Sequence, residues 1–93
     1  MLPPSPDAAA RVAIVNRKGL HARASAKLAK LAATYDAKII VRHEGEAADA
    51  RSIMDLLMLV AHIGCEIEIT ANGPQAGEAV EAIVALVSDG FGE

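Results

Sequence analysis

The chain has 93 residues, a formal net charge of −3 and only two aromatics, Tyr35 and Phe91. That length allows one domain with a modest core, and 53% hydrophobic content that is largely alanine means Val, Ile, Leu, Met and Ala must build it. No apolar run approaches the ~20 residues that span a bilayer, so no membrane insertion is expected.

Met1 to Ala10 holds Pro3, Pro4 and Pro6 and lacks a basic segment followed by an apolar one. It reads as a flexible N-terminal tail, residues 1–10, rather than a secretion signal, ahead of a single domain at 11–93. Arg11 to Asn16 is a short β-rich run ending in turn formers. His21 to about Tyr35 is rich in Ala and Lys, with Ala24, Leu28, Leu31 and Ala32 at helical spacing; Lys27 and Lys30 fall off that stripe, toward solvent or a partner. Ala37 to His43 reads as a strand, Glu44-Gly45-Glu46 as a turn, and Ala47 to Ala50 as a short return strand.

Ser52 to about Ala61 predicts a helix, with Ser52 as N-cap and Asp55 at capping-box spacing. Ile53, Met54, Leu56, Leu57, Met58, Leu59 and Val60 make it apolar almost all round. Part of that surface should therefore stay exposed, and Met54 and Leu57 are the residues expected at a partner. Cys65 to Ala71 alternates as a strand with one face buried, Cys65 being a small buried member. After the Asn72-Gly73-Pro74 turn, Gln75 to Ser88 predicts a closing amphipathic helix. The order is β-α-β-β-α-β-α, an α+β chain.

Chemistry concentrates at Gly19-Leu20-His21-Ala22-Arg23. A glycine turn brings His21 to a helix start, where unsatisfied backbone N–H groups and the helix dipole favour an anion. An isolated histidine there would be a poor helix cap. Here Arg17, Lys18, Arg23, Lys27 and Lys30 surround it in sequence with no acid between them, while no Lys or Arg follows Arg51. A histidine in that setting can act as a nucleophile and carry a phosphoryl group, held by the backbone amides of Ala22 and Arg23 and by the Arg23 guanidinium. The basic patch on an acidic body fits a protein partner with an acidic surface. Nucleic acid is not expected, since no aromatics interleave the patch. His21, His43, His62 and Cys65 lack metal-ligand spacing, and His43 and His62 read as surface or boundary residues. No Gly-rich nucleotide loop is present, so neither metal nor cofactor is expected. A lone cysteine suits a reducing cytoplasm.

Gly19 to Lys30 resembles the active-site signature of the histidine-containing phosphocarrier (HPr) family of the phosphoenolpyruvate-dependent phosphotransferase system, which includes a nitrogen-related (NPr) branch. Ala50-Arg51-Ser52-Ile53-Met54-Asp55-Leu56-Leu57 resembles the regulatory-serine segment of that family. The resemblance implies an open-faced sandwich, with a four-stranded, mainly antiparallel sheet and its helices on one face. It implies phosphorylation of His21 on Nδ1 by Enzyme I, transfer to IIA-type proteins in sugar uptake or nitrogen-related regulation, and a phosphate-binding role for Arg23. Ser52 matches a serine modified by a dedicated HPr kinase/phosphorylase, besides its role as a cap. Lys30 matches a position the family uses in partner docking; Lys27, a further basic residue beside it, and Ile53, Met54 and Leu57 of the apolar helix complete the expected partner-binding set. Such a protein is a carrier rather than an independent catalyst, and a monomer is the expected state. Ala24 stands where the family has proline and Asp55 where it often has a basic residue; both lean toward the nitrogen-related branch. The competing class is a regulatory binding module whose docking is switched by phosphorylation of His21 or Ser52.

Overall fold

The computed structural model describes residues 5–93, so Met1–Pro4 of the expected tail lie outside it. Four strands, β1 (Ala8–Ala13), β2 (Lys38–His43), β3 (Glu46–Asp49) and β4 (Glu66–Asn72), form one antiparallel sheet in the order β1-β4-β2-β3. Three helices, α1 (Ala22–Ala32), α2 (Ile53–Met58) and α3 (Ala76–Ser88), cover one face, and a short 3-10 turn follows at Gly90–Gly92. No described helix is long and apolar enough to cross a membrane.

Register explains which face is covered. Val12 lies opposite Ile67, Ala10 opposite Ile69, and Ile69 in turn opposite Val41, which faces Ala48. Directly opposed residues share a face, so these apolar side chains form one continuous floor. Leu28, Leu56, Ile83, Val87 and Phe91 close it from the helix side and are fully buried. The other face carries charge instead, with Arg11 3.5 Å from Glu66 and 3.8 Å from Glu68.

Several boundaries differ from the sequence reading for identifiable reasons. Strand β1 begins at Ala8, inside the expected tail, because Ala8 pairs with Ala71 and the Asp7 carboxylate accepts from the Gly73 N–H at 2.9 Å. Helix α1 stops at Ala32 rather than near Tyr35: the Thr34 and Tyr35 N–H groups tighten onto Leu31 and Ala32. Helix α2 stops at Met58, three residues short of Ala61, and Val60 takes a left-handed φ of 51°. The chain must turn there so that the Ala61 carbonyl can accept the Leu20 N–H at 2.9 Å. The Glu44-Gly45 pair makes a two-residue hairpin loop with φ of 47° and 82°, which suits the sheet twist.

Two residue placements are corrected. His43 is buried, not at the boundary, because it continues the inward alternation of Ile39 and Val41. Cys65 precedes β4 and is only half-buried, with its Sγ 3.5 Å from the His62 ring.

Candidate functional site

His21 is the N-cap of α1, with extended backbone at φ −73° and ψ −177°. Gly19 sets up that approach. Its φ of +63° is left-handed, and an added Cβ would lie 2.5 Å from the Ala61 carbonyl oxygen and 2.7 Å from the His62 Cα. Both obstacles are backbone, so the loop can pass this closely only at glycine. Ser25 braces the turn, donating its hydroxyl to the Leu20 carbonyl at 3.1 Å while its N–H bonds the His21 carbonyl at 2.8 Å. Ala24, at the position of the family proline, is fully buried in this first turn.

No side chain caps α1. Its first amides, including those of Ala22 and Arg23, therefore remain available to an external anion. Around them lies an open hollow of about 600 Å³ lined by His21, Arg17, Lys18, Arg23, Lys27 and Glu93, with Val15 and Ile63 as its apolar wall. Four cations converge on one histidine, as their sequence clustering suggested. Lys30 does not join them; it borders a neighbouring groove with Lys27, Leu31, Thr34 and Leu86.

Sequence reasoning missed Asn16 and Glu93. The Glu93 carboxylate contacts His21 Nε2 through one oxygen and accepts from Asn16 Nδ2 at 3.1 Å through the other. Asn16 is buried, and the same amide donates to the Gly19 carbonyl at 2.8 Å. That hydrogen bond from Asn16, aided by His21 and Arg23, holds the Glu93 carboxyl below its ordinary value of 4.5 against partial desolvation. Gly90, Phe91 and Gly92 form the hook that delivers Glu93, all three left-handed at φ of 64°, 57° and 73°. For the non-glycine Phe91 such a conformation costs about 1–2 kcal/mol. Full burial of its ring and donation by Lys27 Nζ to its carbonyl at 2.6 Å hold it there. No sequence motif signals a contact across 72 residues.

Ser52 caps α2 as expected, accepting the Asp55 N–H at 3.2 Å. The capping box is not closed: the Asp55 carboxylate reaches the Asp49 N–H at 3.4 Å, because the Ser52 N–H already bonds the Asp49 carbonyl. Among the expected docking residues, Ile53 and Met54 are exposed, at 42% and 67%, whereas Leu57 is half-buried. Met58 and Val60, which the sequence did not single out for contact, are as exposed as Met54.

The geometry is that of a histidine with one nitrogen engaged by a carboxylate, seated at an uncapped helix start among cations. Comparison with known proteins places it in a family. The family described as "PTS HPr component phosphorylation site" matches residues 8–89. The phosphocarrier protein NPr of Klebsiella oxytoca is 48% identical over 83 residues, covering 88% of this chain and 92% of that protein. The phosphocarrier protein HPr of Cupriavidus necator is 44% identical over 80 residues, covering 86% and 90%. The crystal structure of HPr-C-His from Thermoanaerobacter tengcongensis superposes with a TM-score of 0.89 at 31% identity, over 92% of this chain and 97% of that one. With fold, length and family match in agreement, the chain belongs to the HPr family of phosphocarrier proteins of the phosphotransferase system.

Proposed function

We propose that this chain carries a phosphoryl group on Nδ1 of His21, taken from Enzyme I and passed to IIA-type proteins in the cytoplasm. The observation that carries the reading is His21 at the uncapped start of α1, facing Arg17, Lys18, Arg23 and Lys27 across one hollow. A phosphoryl group on that ring would meet the free amides of Ala22 and Arg23 and the Arg23 guanidinium, which supports a stabilising role for both. Exposure of the hollow leaves the group within reach of the next acceptor. Lys27, Lys30, Ile53, Met54 and Leu57 are proposed to contact partners; exposure supports Ile53 and Met54 most directly. Ser52 is proposed as a regulatory phosphorylation site of a serine-directed kinase, and the carrier as a monomer.

Phosphoryl transfer from labelled phosphoenolpyruvate through Enzyme I to wild type and His21→Ala tests the reading. The expected result is acid-labile, base-stable label on wild type and none on a folded His21→Ala. Relatives named HPr and NPr match at similar identity, so Enzyme I and IIA proteins of both branches belong in the assay. No label on folded wild type from either Enzyme I would overturn the carrier. Undiminished target binding by His21→Ala in that event would favour the regulatory binding module.

A further inference from the structure

We propose that the open face of the sheet, opposite the helices, binds a small dicarboxylate between Arg42 and Lys38. This site is separate from the His21 hollow and does not depend on the carrier reading.

Strand β2 alternates, so Lys38, Ile40 and Arg42 point away from the core that Ile39 and Val41 join. Register sets Lys38 opposite Asn72, Ile40 opposite Thr70 and Arg42 opposite Glu68 of β4. A cation directly opposite a carboxylate ordinarily pairs with it. Here Arg11 of β1 takes that carboxylate instead, at 3.8 Å from Glu68 and 3.5 Å from Glu66. Arg42 Nη1 turns along the groove and donates to the Thr70 hydroxyl oxygen at 3.3 Å. That bond draws the guanidinium toward the Lys38 end of the face. Among the described residues no carboxylate pairs with either cation. Two like charges drawn together without an acid repel, and an anion between them relieves the repulsion.

The neutral groups beside them offer protons as well. Thr70 is only 9% exposed, and because its oxygen accepts from Arg42, its O–H is left to donate. Asn72 Oδ1 accepts the Asp7 N–H at 3.0 Å, which leaves the side-chain NH2 as a donor. The donors thus form two groups, Arg42 with Thr70 and Lys38 with Asn72. They stand one same-face step of roughly 7 Å apart along the strands. Ile40 supplies an apolar floor, and Ala9 and Ala47 flank a groove of about 660 Å³, within the ~300–1,000 Å³ of small-molecule sites.

These features select the ligand. The remaining N–H groups of Arg42 match the plane of a carboxylate. Phosphate sites draw on unpaired backbone amides, whereas β4 lies in the ladder between β1 and β2. Two carboxylates joined by methylenes that cross Ile40 satisfy both donor groups at once, and glutarate has that shape.

The experiment titrates the protein with glutarate at constant ionic strength and follows backbone and side-chain NMR shifts. The probes for comparison are pentanoate and inorganic phosphate. Glutarate should saturate with a Kd on the order of 1 mM, as suits so small a ligand, and move signals of Lys38, Arg42, Thr70 and Asn72. Pentanoate, which has one carboxylate, should bind about tenfold more weakly, and Arg42→Ala and Lys38→Ala should each lose about as much. Thr70→Val keeps the shape of the buried side chain; it should weaken glutarate and leave the remaining sheet signals in place. Equal response to pentanoate and glutarate would overturn the proposal, as would undiminished binding by Arg42→Ala or Lys38→Ala. Shifts centred on His21, tighter binding of inorganic phosphate, or no saturation by glutarate would overturn it too.

Discussion

Replacing Gly19 by alanine should cost more than any other single methyl added to the loops, because two penalties coincide there. The left-handed φ of +63° carries a strain of about 1–2 kcal/mol for a residue with a Cβ. The Cβ would also stand 2.5 Å from the Ala61 oxygen and 2.7 Å from the His62 Cα, where the backbone must shift, and overpacking of this kind costs roughly 1–3 kcal/mol. The sum, about 2–5 kcal/mol, is a large part of the roughly 5–14 kcal/mol available to a domain of this size. At a urea dependence near ~1.5 kcal/mol per molar, the midpoint should fall by roughly 1–3 M. Gly45 supplies the control. It has a φ of +82° with nothing within 4 Å of an added Cβ, so Gly45→Ala should show the strain alone. The Ala61 oxygen also accepts the Leu20 N–H, so Gly19→Ala disturbs the residue before His21 and should slow phosphoryl acceptance where Gly45→Ala does not. Equal urea midpoints for the two variants would refute the close approach as the reason for glycine at position 19.

Other outcomes follow from the same geometry. Phe91→Ala removes a fully buried ring and should cost about 3–5 kcal/mol in urea unfolding while freeing Glu93 from His21, visible as a change in the His21 ring shifts. Ser52→Ala removes the acceptor of the Asp55 N–H and should lower stability by about 1 kcal/mol, a melting shift of roughly 4–8 °C. The Glu93 carboxyl, lowered in the folded state, contributes stability above its ordinary value of 4.5 and loses it as pH falls through the lower folded value. A ¹³C titration of Glu93 should accordingly give a midpoint below 4.5; a midpoint at or above it would contradict the hydrogen bond from Asn16.

The element types were legible in the sequence because their signals are local. Alternation of apolar residues at Ile67 and Ile69, helical spacing of Ala24, Leu28 and Ala32, and the Ser52 cap each lie within a few residues. His21 and its cations were legible for the same reason, since Gly19, Arg23 and Lys27 sit on the adjoining turn and helix. Tertiary structure decided what depends on distant segments. Ala8 enters a strand only because Ala71 is there to pair with it, and α2 ends early only because Ala61 must meet Leu20. His43 is buried by sheet alternation although its polarity suggested the boundary. Glu93 reaches His21 through a hook whose left-handed residues are held by a buried ring and a lysine 64 positions away. A sequence records which groups are present; contacts closed across long loops depend on the packing that offsets their entropy, and that packing exists only in the fold.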